Sequence, residues 1–218
     1  GTMDKGGRAL PSLYRGLAST ARAARGLSED PDLASISEAP RTIFNVRVGG
    51  QRRVATQSVS LERVKAIGRA AGGTVNDVVL AACSGALRRY LDELGELPAE
   101  SLIASVPMAL HHEEGTTSGN AVTSLNTRLG SQLEDVKQRF ETIKRSTEAG
   151  KTLLKQMTQT AALNYTMIVS LPVLLAWLPV AGAMVRPVTN LIISNVPGPR
   201  EKLYFHGAEM VGYHPISQ

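Results

Sequence analysis

The chain has 218 residues, of which 43% are hydrophobic, and it carries a formal net charge of +5. This length and composition support a large domain with a substantial core. Aromatic side chains make up only 4% of the residues, too few for the stacking surfaces of a single-strand nucleic-acid binder, so nucleic acid is not expected as a partner. Cys83 is the only cysteine, which excludes an intrachain disulfide and a cysteine-rich zinc site and fits a reducing cytosol.

The first 40 residues are predicted to form a connecting region. Gly1-Thr2-Met3 is typical of a vector-derived scar, and no secretion signal is expected after it. Pro11 to Gly26 has apolar residues at helical spacing, with proline at the start and glycine at the end, and predicts a short amphipathic helix. Its arginines either face anionic lipid or belong to a solvated helix surface.

Two segments on either side of Gly49-Gly50 are predicted to be strands. Thr42 to Val48 and Arg53 to Val59 both have the residue content of strands, and a glycine pair is typical of a turn. We therefore expect a β-hairpin here.

A helix is predicted after this hairpin. Ser60 is a favourable N-cap, and Leu61, Val64 and Ile67 are spaced to face the core. Gly72-Gly73 is expected to end the helix.

A second helix is predicted to begin almost at once. Thr74 and Asp77 have the T-x-x-D spacing of a capping box. The residues from Val75 to Leu87 are apolar on nearly every side, so the first half of this helix should be buried.

Two strands and a helix are predicted in the middle of the chain. Leu102 to Met108 is a compact apolar run, and Ala121 to Leu129 alternates more weakly. The spacing of Leu133, Val136, Phe140 and Ile143 then predicts a charged amphipathic helix; these four residues mark its apolar face.

The segment from Gln156 to Val185 has no charged side chain and is long enough to cross a bilayer. Pro172 and Pro179 would each interrupt a helix, which argues against a transmembrane span. We expect a broken helix that packs in the core, lines an acyl tunnel or lies in a membrane interface.

The C-terminal part is predicted to add strands. Val188 to Ser194 has β-branched content, and the sequence from Asn195 to Pro199 is typical of a rigid turn. His206 to Tyr213 is expected to be another short strand. The alternation of strands and helices, with no internal repeat, predicts an α/β architecture.

His111-His112-Glu113-Glu114-Gly115 is the most obvious candidate site, but no metal site is predicted there. Adjacent histidines on a loop point in different directions, and no H-E-x-x-H spacing follows. A polar loop with two ordinary histidines is the better interpretation.

The candidate site residues lie instead in two short segments. Asp77 has a structural interpretation as a cap, whereas Asn76 either makes a structural hydrogen bond or lines a site, because a buried amide needs a partner. Ser194 and Asn195, with Gly198 nearby, are placed to offer hydroxyl, amide and backbone groups to a thioester oxygen or to the pantetheine arm, or they form a rigid turn. Gly72-Gly73 before a helix also resembles a weak phosphate cradle.

These motifs resemble one family. The segment from Gly72 to Ala81, followed by Arg88-Arg89-Tyr90-Leu91, is similar to the Asn-Asp motif helix of the bacterial wax ester synthase/diacylglycerol acyltransferases. Leu102 to Pro107, Gly119-Asn120 and Ile193 to Pro199 follow in the family's order. The resemblance covers roughly residues 40 to 218. The chain departs from the pattern at Met108-Ala109-Leu110, where a polar serine and arginine are more usual.

The resemblance implies one half of a chloramphenicol acetyltransferase-like two-domain fold, with a mixed sheet flanked by helices and a channel between the halves. Residues 4–40 would be the linker and connecting helix, and residues 41–218 the C-terminal acyltransferase domain without its final strands. Family members carry the catalytic base in a His-His-x-x-x-Asp-Gly sequence of the N-terminal half. These 218 residues lack that sequence, so no catalytic residue is expected in this chain, and the isolated chain is predicted to be inactive.

The resemblance also implies the reaction and its partners. The expected donor substrate is acyl-CoA, the acceptor is diacylglycerol or a fatty alcohol, and no cofactor or metal is needed. Asn76, Asp77, Ser194, Asn195 and Gly198 would line the substrate channel, which an N-terminal acyltransferase domain would complete. The expected location is the cytoplasm, peripheral to the inner membrane or lipid bodies. Two alternatives stay open: a noncatalytic lipid- or membrane-binding module, and a condensation-like domain acting on carrier-bound acyl groups.

Overall fold

A computed structural model of the protein describes residues 30–35, 38–46, 49–109, 122–156, 186–199, 201–212 and 214. Three predictions lie outside the described residues. They are the helix from Pro11 to Gly26, the loop with His111-His112, and the uncharged segment after Gln156.

A mixed sheet of three strands lies at the centre of the described fold. Strand β1 (Ile103–Ala109) pairs antiparallel with β2 (Val122–Arg128) and parallel with β3 (Leu191–Ile192), giving the order β2-β1-β3. Register sets Ile103 opposite Arg128 and Ser105 opposite both Asn126 and Ile192. The strands predicted in the middle of the chain are confirmed, and β3 is shorter than the predicted one.

In the described part of the chain, three α-helices accompany this sheet: α1 (Leu61–Ala70), α2 (Val75–Glu93) and α3 (Val136–Gln156). Helices α2 and α3 pack on each other and on one face of the sheet. Their buried side chains form one apolar cluster with β1 and the end of β3. The buried members are Leu80, Leu91, Leu102, Ala104, Val106, Leu129, Ile143 and Ile193. The prediction of helices α2 and α3 is confirmed, but two of the predicted apolar-face residues of α3 are not part of that face: Leu133 precedes the helix and Val136 is exposed.

Helix α3 approaches β2 closely at Gly150. A Cβ atom added there would lie 1.8 Å from Cδ1 of Leu125, closer than any real contact, so the packing requires glycine. The contact also shows that Leu125 projects from the sheet toward α3.

Helix α1 ends as predicted, but its buried side differs from the prediction. Gly72 has φ +63°, its N–H donates to the Arg69 carbonyl (3.2 Å), and the Gly73 N–H donates to the Gly68 carbonyl (2.8 Å). This is the Schellman pattern of hydrogen bonds. The predicted core positions of Leu61 and Ile67 are wrong, because both side chains are exposed. Gly68 is buried instead, against the backbone of Gly73 and Thr74.

The predicted hairpin between residues 42 and 59 is wrong. Ile43–Asn45 is a single 3-10 turn, in which the Thr42 and Asn45 side chains cap each other's backbone N–H groups. Such local side-chain hydrogen bonds compete with strand pairing. Residues 51–60 are exposed and have no regular secondary structure. The predicted strand from Arg53 to Val59 therefore does not form.

A separate two-stranded hairpin lies near the C-terminal end. Strands β4 (Tyr204–Phe205) and β5 (Ala208–Glu209) pair antiparallel. His206 and Gly207 connect them with φ values of 47° and 83°, as a two-residue hairpin turn with two positive φ angles requires. A short strand is therefore present within the predicted range from His206 to Tyr213, as β5, but the predicted start is wrong, because His206 and Gly207 form the turn.

Among the described residues, membrane-spanning character is weak. No single helix there combines enough length with enough apolar content to cross a bilayer. Helices α1 and α2 meet both conditions only when taken together, and they are bent by 97°. Buried core helices of globular proteins can meet the same conditions.

Candidate functional site

Asp77 forms the predicted capping box at the start of α2. Its Oδ2 accepts from the Thr74 N–H (2.8 Å) and the Thr74 hydroxyl (2.7 Å), and the Thr74 Oγ1 accepts from the Asp77 N–H (3.3 Å). A carboxylate in this position also interacts favourably with the helix dipole. The prediction that Thr74 and Asp77 cap the helix is confirmed.

Asp77 also connects α2 to α3. The Thr147 hydroxyl lies 3.0 Å from Asp77 Oδ1 and 2.9 Å from the Lys144 carbonyl oxygen. The Asp77 side chain is 2% exposed, and both of its oxygens are hydrogen-bonded within the protein. These contacts give Asp77 a structural role at the corner between α1, α2 and α3.

The weak phosphate cradle suggested by Gly72-Gly73 is wrong. The N–H groups of residues 72, 73, 74 and 77 all donate within the corner itself. The Phe140 ring lies over Gly73, where a Cβ would come within 2.6 Å of Phe140 Cζ. The Asp77 carboxylate therefore occupies the place that an anion would take.

Asn76 differs from its neighbour. Its side chain is half-buried in the first turn of α2, and it makes no hydrogen bond with any residue that the structure describes. The amide is thus available to a ligand, as its site-lining interpretation requires. The alternative interpretation, a structural hydrogen bond from the Asn76 side chain, has no partner in the described residues.

Ser194, Asn195 and Gly198 lie together in an exposed segment after β3. The Ile193 N–H donates to the Ser105 carbonyl (3.0 Å), and the chain then leaves the sheet. Residues 194–199 contain no turn, so the predicted rigid turn is wrong. Within the described residues, no hydrogen bond joins this segment to Asn76 or Asp77.

Sequence reasoning missed a buried polar site on β2. Asn126 is 3% exposed and Thr127 is fully buried, and neither the Asn126 amide atoms nor the Thr127 hydroxyl has a hydrogen-bond partner in the described part of the chain. Buried polar groups are nearly always paired. The signal in the sequence is two adjacent polar residues, Asn126 and Thr127, inside a strand whose alternation of polar and apolar residues predicts burial.

The segment before α1 is held to β2 by Arg128. Its guanidinium is hydrogen-bonded to both carboxylate oxygens of Glu38, one of them at 2.8 Å, and to the carbonyls of Pro31 (2.5 Å) and Leu33 (2.7 Å). Burial raises the pKa of Glu38, but hydrogen bonds from Arg128 and the Ser35 N–H, with the Arg128 charge, bring that pKa below its ordinary value. The contact stabilises the charged pair.

Asn190, which lies directly before β3, also holds the segment before α1 to the sheet. Its Oδ1 accepts from the Ile103 N–H (2.8 Å), and its Nδ2 donates to the Pro40 carbonyl (2.7 Å) and to Asn45 Oδ1 (2.8 Å). The side chain is buried. This asparagine was also missed, because its partners lie far away along the chain.

The remaining candidate groups are isolated. Within the residues that the structure describes, no three His, Cys, Asp or Glu side chains are grouped for a metal ion. His206 and His214 are both exposed. Burial raises the pKa of the half-buried Cys83 thiol, which disfavours its nucleophilic thiolate form.

The mixed sheet with packed helices has the chloramphenicol acetyltransferase-like fold of CoA-dependent acyltransferases. Two family models match the chain: the wax ester synthase/diacylglycerol acyltransferase catalytic domain over residues 2–79, and the C-terminal domain of the same family over residues 118–218. The chain belongs to the wax ester synthase/diacylglycerol acyltransferase family.

Individual relatives agree with this assignment. A Mycobacterium tuberculosis protein named a diacylglycerol O-acyltransferase is 42% identical over 217 residues, which are 100% of this chain and 48% of that protein. The O-acyltransferase WSD of Acinetobacter baylyi is 40% identical over 212 residues, covering 96% of this chain and 45% of that protein. The chain spans about half the length of these relatives.

A solved structure supports the same assignment. The wax ester synthase/diacylglycerol acyltransferase from Marinobacter aquaeolei VT8 superimposes with a TM-score of 0.67 and 29% sequence identity. The match covers 90% of this chain and 43% of that one.

Proposed function

We propose that this chain is the C-terminal half of an acyl-CoA-dependent O-acyltransferase that makes triacylglycerol or wax esters. The observation that carries the proposal is the similarity to named O-acyltransferases along 96% to 100% of the chain. The donor is acyl-CoA, the acceptor is diacylglycerol or a fatty alcohol, and the reaction takes no cofactor.

The proposed reaction is a direct acyl transfer. A histidine of a His-His-x-x-x-Asp-Gly sequence, contributed by an N-terminal half, removes the proton of the alcohol as its oxygen attacks the thioester carbonyl. The C–S bond breaks, the CoA sulfur receives the proton, and the ester leaves. No catalytic residue is assigned to the present chain.

This chain supplies one wall of the substrate channel. Asn76 is the strongest candidate for contact with substrate, because its half-buried amide has no partner among the described residues. Asp77 acts through the corner that holds Asn76 in place. Ser194, Asn195 and Gly198 are exposed, and their backbone and side-chain groups are available to the acyl donor.

The N-terminal half is proposed to dock on exposed apolar side chains. Phe205 is 76% exposed and Val211 97% exposed, and neighbouring residues of the β4–β5 hairpin are exposed as well. Since the relatives are about twice as long as this chain, they have enough additional residues to cover this surface.

The test measures turnover of palmitoyl-CoA and diolein. The chain alone is expected to be inactive, and the chain combined with the N-terminal half of the A. baylyi relative is expected to release CoA and form triacylglycerol. The matched control omits diolein. Robust turnover by the chain alone would contradict the assignment of the base to the other half.

A peripheral membrane role is a second proposal, favoured by the same exposed apolar hairpin. In this role the protein works in the cytoplasm against the inner membrane or lipid bodies. Flotation with anionic vesicles separates the two roles. Binding by the chain alone that is lost in Phe205→Glu supports the membrane role; binding that disappears when the N-terminal half is added assigns the hairpin to the domain interface.

A further inference from the structure

Asn126 is an energetic anomaly within the described fold. Its side chain is 97% removed from solvent, and neither Oδ1 nor Nδ2 has a hydrogen-bond partner in the residues that the structure describes. An unpaired buried polar group is destabilising, because it loses its hydrogen bonds to water and gains none within the protein. A side chain that carries this cost without a structural partner is well suited to meet a ligand.

The face of the sheet on which Asn126 lies is set by its neighbours. Leu125 projects toward Gly150 of α3, and alternation puts Asn126 and Arg128 on the opposite face. Arg128 confirms this, because its guanidinium binds the segment around Glu38. Asn126 therefore points away from the helical layer.

The register gives Asn126 polar and apolar neighbours across the sheet. Ser105 on β1 lies directly opposite Asn126 and is half-buried, and Ile192 on β3 follows on the other side of Ser105. Ile192 is 71% exposed. Cross-strand partners share a face. The row formed by Ile192, Ser105 and Asn126 therefore leads from an exposed apolar side chain to a buried amide.

The charge around the row is balanced. The one cationic neighbour along β2 on this face, Arg128, is bound by the Glu38 carboxylate and two carbonyls. A balanced charge favours a neutral ligand over a phosphate. Asn126 offers one acceptor and one donor group side by side, which matches the carbonyl and N–H of a secondary amide.

We propose that Asn126 binds a secondary amide of the pantetheine arm of the acyl donor. Its Nδ2–H donates to the amide carbonyl, its Oδ1 accepts from the amide N–H, and Ser105 lies beside this contact. The inference rests on the proposed acyltransferase function, and it makes Asn126 a donor-positioning residue rather than a catalytic one.

The test compares three palmitoyl donors in the complete enzyme, with this chain joined to the complementary half. Palmitoyl-CoA and S-palmitoyl-N-acetylcysteamine contain the amide, and S-palmitoyl ethanethiol lacks it. Asn126→Leu is expected to lower kcat/KM about 10-fold for the first two donors, through KM, and to leave the third unchanged. Asn126→Ala repeats the measurement with a smaller side chain, which cannot crowd the neighbouring residues.

Thr127→Val is the matched control, because Thr127 is the adjacent buried residue with an unpaired hydroxyl but lies on the opposite face. It is expected to change kcat/KM for no donor. Both Asn126 variants should unfold at the same or higher denaturant concentration than the parent, because they remove an unpaired polar group.

The outcomes separate this inference from the proposed function. An equal loss with all three donors, a rise in KM for the alcohol alone, or no change would overturn the amide contact while acyl transfer stands. Absence of turnover by the unmodified complete enzyme with every donor would reject the proposed function, and the amide contact with it.

Discussion

Two buried polar side chains, Asp77 and Asn126, occupy opposite kinds of environment. The Asp77 carboxylate accepts three side-chain or backbone hydrogen bonds at the corner of α1, α2 and α3. The Asn126 amide accepts and donates none within the described residues. A group with all its partners inside the protein stabilises the fold, whereas an unpaired one weakens it. The difference teaches that Asp77, the acidic residue of the family motif, supports the fold, whereas Asn126 keeps the polar groups that we propose bind the acyl donor.

Asp77→Ala should have the largest effect on the corner. The change removes the cap and leaves the Thr74 N–H and hydroxyl without their acceptor, so we expect a loss of about 3 kcal/mol in the free energy of unfolding. Urea denaturation followed by circular dichroism measures it. Asp92→Ala, at an exposed position of the same helix, is the control. Equal stability of the two variants would contradict a structural role for Asp77.

Gly150→Ala should disturb the contact between α3 and the strand that bears Asn126. The added methyl overlaps Leu125, so we expect a loss of about 2 kcal/mol despite the higher helix propensity of alanine. The double variant with Leu125→Ala should be more stable than the sum of the single changes predicts, because the overlap is relieved. Strict additivity in urea denaturation would argue against this close approach.

Glu38→Gln tests the ion pair with Arg128 that holds the segment around Glu38 on the same face of the sheet as Asn126. The folded pKa of Glu38 lies below its ordinary value of 4.5. Its contribution to stability is therefore complete above 4.5 and is lost as the pH falls through the lower, folded pKa. We expect Glu38→Gln to cost about 1 kcal/mol at pH 7. The difference in the free energy of unfolding between the variant and the parent protein should disappear on acidification below pH 4.5. A difference that does not depend on pH would contradict the ion pair.

Thr127→Val should produce the smallest effect, and one of opposite sign. Valine has nearly the same shape and removes the unpaired hydroxyl, so we expect a gain of about 0.5 kcal/mol. Differential scanning calorimetry should show a small rise in Tm. A loss of stability would mean that the hydroxyl has a partner, and would weaken the distinction between Asp77 and Asn126.

Much of the fold could be predicted where local rules agree with tertiary packing. The T-x-x-D spacing at Thr74 gave the correct start of α2, and the apolar run after Leu102 gave β1. The hairpin at 42–59 failed because the Thr42 and Asn45 side chains cap a turn. The start of the strand predicted from His206 was wrong, because His206 and Gly207 take positive φ angles and form the turn before β5. In both cases a local hydrogen-bonding or backbone preference decided the conformation.

The candidate site was less accessible to sequence reasoning. Alternation along β2 indicates which face Asn126 occupies, but it does not show whether an amide finds a partner across the sheet. The roles of Asn76, Ser194, Asn195 and Gly198 stay predictions. Only the three-dimensional arrangement separates Asp77, whose partners include Thr147 on another helix, from an asparagine one position away.

Asn190 has a consequence for the order in which the protein is assembled. Its amide joins the sheet to Pro40 and Asn45, which lie 150 and 145 positions earlier in the chain. At roughly 5–20 residues per second, the ribosome makes Asn190 roughly 7–30 s after Asn45. Until then the 40–45 segment lacks these hydrogen bonds and has to rely on contacts with residues made earlier, such as the stacking of Phe44 on Tyr90.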